Sequence, residues 1–288
     1  MILLTCAGSR TQRYVLEALQ PHKALIRAYG RSLDAAFLHQ RGVQDIQTGD
    51  LLDRDAIGRA ATGVHTVIHL GPGLQDKETT IGQFVIDAAK RAGVARFIYI
   101  SVIHPQIDYL MNHRAKLDVE DYLIGSRLNF TILQPQHYFQ NIAVRDSVAS
   151  GKVTLPYSMQ RDLGFVDMVD LGEAAALVAT QPGHDYATYQ ISSSEHLSGN
   201  AIAGVLSKIS GKPVLPERMS IQAFCDHYAR HFAPDASSLD WTIDAIIRLF
   251  SYYDRYGIRG NGNVLKWLLG RPAGSFEAYV KRELAKPS

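Results

Sequence analysis

The chain has 288 residues, 46% of them hydrophobic and 20% charged, a balance that supports a sizeable folded core and excludes a disordered chain. Thirty basic against 28 acidic residues leave a formal charge of +2, too even to make nucleic acid or an anionic membrane surface the main partner. No apolar run approaches the roughly 20 residues that span a bilayer, no secretory leader is evident, and Cys6 and Cys225 lack a metal-like spacing, so the expectation is a reduced cytoplasmic protein whose partner is a small molecule.

In chain order, short β-rich runs occur at Ile2 to Thr5, Ala24 to Arg27, Val43 to Thr48, Thr66 to Leu70, Phe97 to Ser101 and Phe130 to Leu133, with helical spacing between them. Such alternation predicts a parallel sheet with helices on both faces, because parallel strands need crossover connections. Runs such as "FIYIS" and "FTIL" are apolar without clean alternation, as strands buried on both faces should be. The fold class is α/β, a Rossmann-like doubly wound sheet. Beyond "ILQP" the regularity changes: "GKVTLP", "YQISSSEHLS" and "GKPVLPERMS" read as short strands between helices, and the last part is mostly helical, with "GIRGNGN" as a loop between two helices. The expected division is a nucleotide-binding-type domain over 1–150 and a smaller substrate-side region over 151–288. No internal repeat appears.

The stretch "ILLTCAGSRTQRYVLEAL" places an apolar strand before a helix with Tyr14, Val15, Ala18 and Leu19 on its apolar face. In a doubly wound nucleotide fold this is where a glycine-rich turn brings helix amides to a pyrophosphate. The segments "GDLLDRDAIGRAATGVHTVIHL", "FVIDAAKRAGVARFIYISVIHPQ", "NHRAKLDVEDYL", "FTILQPQHYFQNI", "FVDMVDLGEAAA" and "NVLKWLLGRPAGSFEAYV" resemble the NmrA-like branch of the atypical short-chain dehydrogenases, over nearly the full length.

That resemblance implies TGxxGxxG where this chain has "TCAGSRTQ": the glycine positions hold Cys6, Ser9 and Gln12, with Gly8 between them. A non-glycine residue forced to positive φ costs roughly 1–2 kcal/mol, and Gln12 is expected to project into the volume of the phosphates or of the neighbouring strand. The expectation is therefore lost or weakened dinucleotide binding. Against it, Ser9, Arg10 and Thr11 offer donors at a helix N-terminus beside Gly8, so NADP(H) or NAD(H) is the cofactor if the altered loop still binds, and none otherwise. The resemblance further implies that Arg27 and Arg31 match a basic region that contacts an adenosine 2′-phosphate, and that Asp50 and Leu51 match an adenine-side position.

Ligands of open α/β sheets lie beyond the carboxyl ends of the strands, which points to Pro72 after "HL" and to the residues following "YIS" and "ILQP". By resemblance, Ser101 matches a substrate-binding serine and Lys116 the helix lysine that holds a nicotinamide ribose. The tyrosine four residues earlier is Asn112, so the ordinary proton donor is missing. His104 and His113 flank the same loop as acid–base candidates. Gln136, Tyr138 and Asn141 match a segment that lines the substrate pocket in relatives, and Phe224, Tyr228, Phe232, Phe250, Tyr252, Tyr253 and Tyr256 form stripes that are core or pocket wall. A hydrophobic or aromatic small molecule is the expected ligand.

Three functions fit these residues. The leading one is a non-redox enzyme that rearranges, cyclises or dehydrates a secondary-metabolite type of substrate, with Ser101, His104, His113, Lys116 and Tyr138 as its catalytic candidates. The alternative is an NAD(P)H-dependent reductase of quinones or enones, and the third is a nucleotide-sensing binding protein.

Overall fold

A computed structural model describes the backbone of residues 1–232 and 238–286 and the side chains of all of these but 230–232. The sheet-forming half runs β1 (Ile2–Leu4), α1 (Arg10–Leu19), β2 (Ile26–Gly30), α2 (Ala35–Gln40), β3 (Asp45–Thr48), α3 (Arg54–Ala61), β4 (Thr66–Leu70), α4 (Glu78–Arg91), β5 (Arg96–Ile100), α5 (Met111–Gly125) and β6 (Phe130–Pro135). There follow β7 (His137–Tyr138), α6 (Val144–Ser150), β8 (Lys152–Leu155), β9 (Leu163–Val166), α7 (Met168–Thr180), β10 (Ala187–Ile191) and β11 (His196–Leu197). The chain continues through α8 (Gly199–Ser210), β12 (Leu215–Arg218), α9 (Ile221–Phe232), α10 (Leu239–Tyr256), α11 (Gly262–Leu269) and α12 (Phe276–Ala285).

Seven strands form one sheet in the order β10-β6-β5-β4-β1-β2-β3, and β1 to β6 pair in parallel. The order reverses at β1, which lies between β2 and β4, so this is the doubly wound arrangement expected and its switch point falls between β1 and β4. Leu3, Val67, Phe97 and Ile132 at its centre are fully buried, which explains why these strands read as continuous apolar runs. The second strand begins two residues later than expected: Lys23 takes a left-handed φ of 50° and Leu25 is 72% exposed, while Ala28 and Tyr29 carry the buried face. The inner face of α1 runs through Thr11, Gln12, Val15, Leu16 and Leu19, with Tyr14 and Ala18 at its border.

The chain forms two compact units. One comprises Met1–Asp108, Asn112–Pro135 and Val169–Tyr189; the other comprises Tyr109–Met111, Gln136–Met168 and Gln190–Ser288. The boundary expected at 150 is corrected accordingly: the chain leaves the sheet unit after β6 and returns to it with α7. Two contacts explain the return. A Cβ on Gly172 of α7 would lie 2.5 Å from the Tyr14 carbonyl oxygen of α1, so the helices cross at backbone distance. Arg96 Nη1 donates to the carbonyls of Val178, Ala179 and Gln181 at 3.1, 3.3 and 2.9 Å, tying the end of α7 to the start of β5.

In the second unit, β11, β9 and β7 form a small sheet and β12 pairs with β8. Helices α6, α8 and α12 pack on one another, and α9 packs on α10. The glycine-rich loop 257–261 separates α10 from α11, as expected. Among the described residues no helix is long and apolar enough to cross a membrane and no His/Cys/Asp/Glu cluster could hold a metal ion.

Because Gly172 faces backbone rather than a yielding side chain, Gly172→Val should destabilise the protein by about 1–3 kcal/mol, read as a lower urea midpoint at unchanged slope.

Candidate functional site

The loop between β1 and α1 lies at the switch point, and its three substituted positions settle how it is built. Cys6 takes the positive φ that its glycine counterpart would, at 50°, packs against the core cluster, and has its thiol pushed up to about 11 by burial, with nearby Arg31 pulling it down. Ser9 caps α1: its hydroxyl accepts from the Gln12 amide at 3.2 Å. Gln12 is fully buried, and its Nε2 donates to the carbonyls of Thr5 at 2.9 Å and Ile68 at 3.2 Å. Of the two volumes expected for it, Gln12 therefore takes the strand side, bridging β1 and β4. All three side chains turn into the protein or back onto their own turn. Gln12 thus does not project into the volume expected for the phosphates. Gly8 carries the steric demand instead: a Cβ there would lie 2.3 Å from the Ser32 carbonyl oxygen, so the loop rests directly on the chain leaving β2. The Arg10 and Thr11 amides at the first turn of α1 are donors of the kind a phosphate takes, whereas the Gln12 amide is taken by Ser9 and the Ser9 amide by the Cys6 carbonyl.

Around this loop the basic candidates separate. Arg31 follows the end of β2, is exposed, and makes no ion pair among the described residues. Arg27 lies inside β2 and is committed to structure: it meets Asp45 at 2.7 Å and donates to the carbonyls of Ala60 and Thr62 at 2.8 Å each. Its expected place after the second strand is corrected because that strand runs on to Gly30. Asp50 is exposed and accepts from the Leu52 amide at 2.9 Å, whereas Leu51 is buried in the core. Thr11 is buried, and Pro72 is half-buried in the turn after β4.

Beneath the carboxyl ends of β4 and β5 lies a buried polar floor. Thr5 Oγ1 shares a 2.8 Å hydrogen bond with His69 Nδ1, and the His69 ring stacks on Tyr99 at 5.7 Å. The Lys116 ammonium pairs with Glu78 and lies 5.9 Å from the Tyr99 ring centroid. Burial pushes the Glu78 carboxyl up and Lys116 opposes that shift. One turn along α5, Glu120 accepts from Gln134 Nε2 at 3.0 and 3.1 Å; burial raises its carboxyl, and the neighbouring Ser101 and Gln134 pull it back. The buried Ser101 hydroxyl faces Glu120 outside strict hydrogen-bond geometry.

His113 Nδ1 lies 3.1 Å from the His104 carbonyl. A carbonyl only accepts, so Nδ1 carries the proton and the buried Nε2, which has no partner, is a bare acceptor. His104 contributes its backbone, bent to a φ of 48°, to this bond. Asn112 Oδ1 is likewise buried without a partner. The carboxylates Glu78 and Glu120 and the imidazole of His69 were absent from the sequence-derived candidates. The four-residue spacing Asn112, Lys116, Glu120 could have found one of them, since it places all three on one helix face.

In the second unit, Gln136 is a buried brace: Nε2 donates to the Ile258 carbonyl at 3.1 Å, and a Cβ on Gly164 or Gly260 would strike its side chain. Its expected role in lining a pocket is corrected by this enclosure. Tyr138 is half-buried on β7 and Asn141 is exposed, with its Nδ2 3.3 Å from His137 Nε2. His137 is met edge-on by Tyr157, Phe165 and Tyr253. Phe224, Phe250 and Tyr253 pack into this aromatic cluster and the Tyr252 ring lies tilted against that of Tyr256. The Phe232 side chain lies outside the described residues.

A model of the NmrA-like family matches residues 2–255. The chain is 26% identical to the NAD(P)H azoreductase of Xenophilus azovorans over 96% of this chain and 94% of that protein. It is 24% identical to quinone oxidoreductase 2 of Escherichia coli K12 over 97% of each. Its fold matches a crystal structure of the Citrobacter sp. triphenylmethane reductase complexed with NADP(H), with a TM-score of 0.80 at 21% identity over 98% of this chain and 99% of that one.

Restoring the motif with Gln12→Gly should lower stability by about 2–4 kcal/mol, from two lost hydrogen bonds and a glycine in a helix, measurable by urea unfolding. Burial holds His69 at about 3 and His113 at about 4, below the ordinary imidazole value. The unfolded chain therefore binds more protons than the folded one between about pH 4 and 6.5. Stability should rise with pH across that window, and His113→Asn, which keeps a donor for the His104 carbonyl, should make the rise shallower in unfolding curves taken at stepped pH.

Proposed function

Because the chain belongs to the NmrA-like family, we propose that it is an NAD(P)H-dependent oxidoreductase that reduces a hydrophobic, electron-delocalised acceptor such as a quinone or an azo compound. One observation carries the reading: Gln12 turns onto the strand carbonyls and Cys6 packs against the core with a left-handed backbone, while Ser9 folds back only as the cap of α1, so Gln12 and Cys6 leave the approach to the Arg10 and Thr11 amides open to a phosphate. The relatives above are reductases aligned over nearly their whole length. They favour redox chemistry over rearrangement, cyclisation or dehydration.

Gly8, Ser9, Arg10 and Thr11 would hold the pyrophosphate, Arg31 an adenosine 2′-phosphate, Asp50 the adenine side and Lys116 the nicotinamide ribose. When bound, the dinucleotide supplies the hydride. The remaining chemistry concerns a proton. Asn112 is an amide and cannot donate a proton as a phenol does, which argues against simple ketones, whose reduction leaves an alkoxide almost as basic as hydroxide. A reduced quinone leaves a phenolate, whose conjugate acid has a pKa of about 10, so weaker donors suffice. The missing tyrosine thereby points to the acceptor class.

The test is titration of the purified protein with NADPH and NADH, followed by assay of nicotinamide oxidation with a quinone and an azo dye. Arg31→Ala should weaken NADPH binding by about tenfold, or 1.4 kcal/mol, and leave NADH binding unchanged. A protein that binds neither nucleotide would rule the reading out.

A further inference from the structure

We propose that Glu78 is a positioning residue for Lys116: it pins the lysine ammonium beneath the turn after β4, so that α4 sets where this lysine meets a nicotinamide ribose. The inference rests on the dinucleotide reading above and assigns to α4 a task that the sequence motifs place on α5 alone.

The placement is fixed on every side. Glu78 is 1% exposed and Lys116 8%, and they meet as a direct ion pair. Further along the same two helices, Thr79 Oγ1 donates to the Ala115 carbonyl at 3.2 Å. A Cβ on Gly82 would lie 2.5 Å from Val119 Cγ2, and Tyr122 donates to Asp87 at 2.8 Å. These contacts hold α4 and α5 in one register, so Glu78 cannot drift relative to Lys116. Above the pair, a Cβ on Gly71 would lie 3.1 Å from Glu78 Oε1: the turn after β4 rests on the carboxylate itself.

Stability does not account for the pair. A buried ion pair is commonly no better than two packed apolar side chains, and here Glu78 Oε2 is buried with no partner. The position does account for it. The pair lies below the carboxyl ends of β4 and β5, beside the switch point where a doubly wound sheet receives its ligand. Asn112, one turn before the lysine on α5, is a neutral amide, and Glu78 is the carboxylate that meets the ammonium.

The experiment measures NADPH affinity by nucleotide fluorescence, together with thermal unfolding, for the wild-type protein, Glu78→Gln, Glu78→Leu, Lys116→Leu and the double Glu78→Leu/Lys116→Leu variant. Glu78→Gln should bind NADPH at least about tenfold more weakly. Each single leucine variant should melt lower, and the double variant should regain most of the lost melting temperature, because no unpaired charge stays buried, yet not the affinity. A double variant that binds NADPH like the wild type would overturn the proposal and reduce the pair to packing. If the leucine variants do not fold, a folded Glu78→Gln protein with wild-type affinity overturns it equally. Wild-type protein that binds neither NADPH nor NADH would remove the dinucleotide reading and this inference with it, an outcome distinct from the other two.

Discussion

One carboxamide holds the seam at which the sheet changes direction. Strands on either side of a switch point receive their crossover helices on opposite faces, so their ends tend to open, and that opening is the crevice ligands use. Here Gln12 Nε2 donates to the Thr5 carbonyl just past β1 and to the Ile68 carbonyl in the middle of β4, while the Thr5 amide reaches the Ile68 carbonyl at 3.3 Å. The start of α1, the turn resting on Ser32 and the crossing of α1 by α7 at Tyr14 are all placed relative to that seam. The bridge has a local cost: Gln12 Oε1 is buried without a donor, and Cys6 stays in a left-handed conformation.

The same bridge shows why counting glycines is a weak guide to a phosphate turn. Phosphates meet backbone amides, and a side chain interferes only when its Cα–Cβ bond points at the ligand. In a helix those bonds tilt toward the N-terminus and sideways, so a residue on the inner face, as Gln12 is, projects toward the strands. What such a residue changes is the stiffness of the floor. The polar groups below it, His69, Tyr99, Lys116 and Glu78, are all buried, and burial keeps both imidazoles of the site neutral. A neutral, rigid bed with one compensated cation suits a ligand whose charge arrives with its own phosphates.

The layered architecture was legible because buried parallel strands announce themselves as apolar runs separated by helical spacing. The second strand was misplaced because Ala24 and Leu25 are as apolar as a strand, and only the left-handed Lys23 before them shows that the chain has not yet entered the sheet. The domain break at 150 failed for a different reason. Helix α7 reads as an ordinary apolar helix, and what it covers is decided by Gly172 against a backbone carbonyl more than 150 residues away in the chain. Lys116, Asn112 and Ser101 were singled out through a recurrent motif, and the fold gathers them on or beside α5. Glu78 and Glu120 were not, since in sequence a buried carboxylate looks like any surface acid, and the partner of Glu78 lies 38 residues on. His113 was found as a residue but not in its role, which a backbone carbonyl sets.

A thiol sits in the turn nearest the place a nicotinamide coenzyme would occupy, and its surroundings decide its chemical fate. Burial pushes the Cys6 thiol up to about 11, which keeps it in the protonated form at neutral pH, whereas the thiolate is the form that attacks electrophiles. Soft, alkylating molecules, which arylate ordinary cysteines, would find little to react with there, so the turn keeps its shape in the company of compounds that disable more acidic thiols.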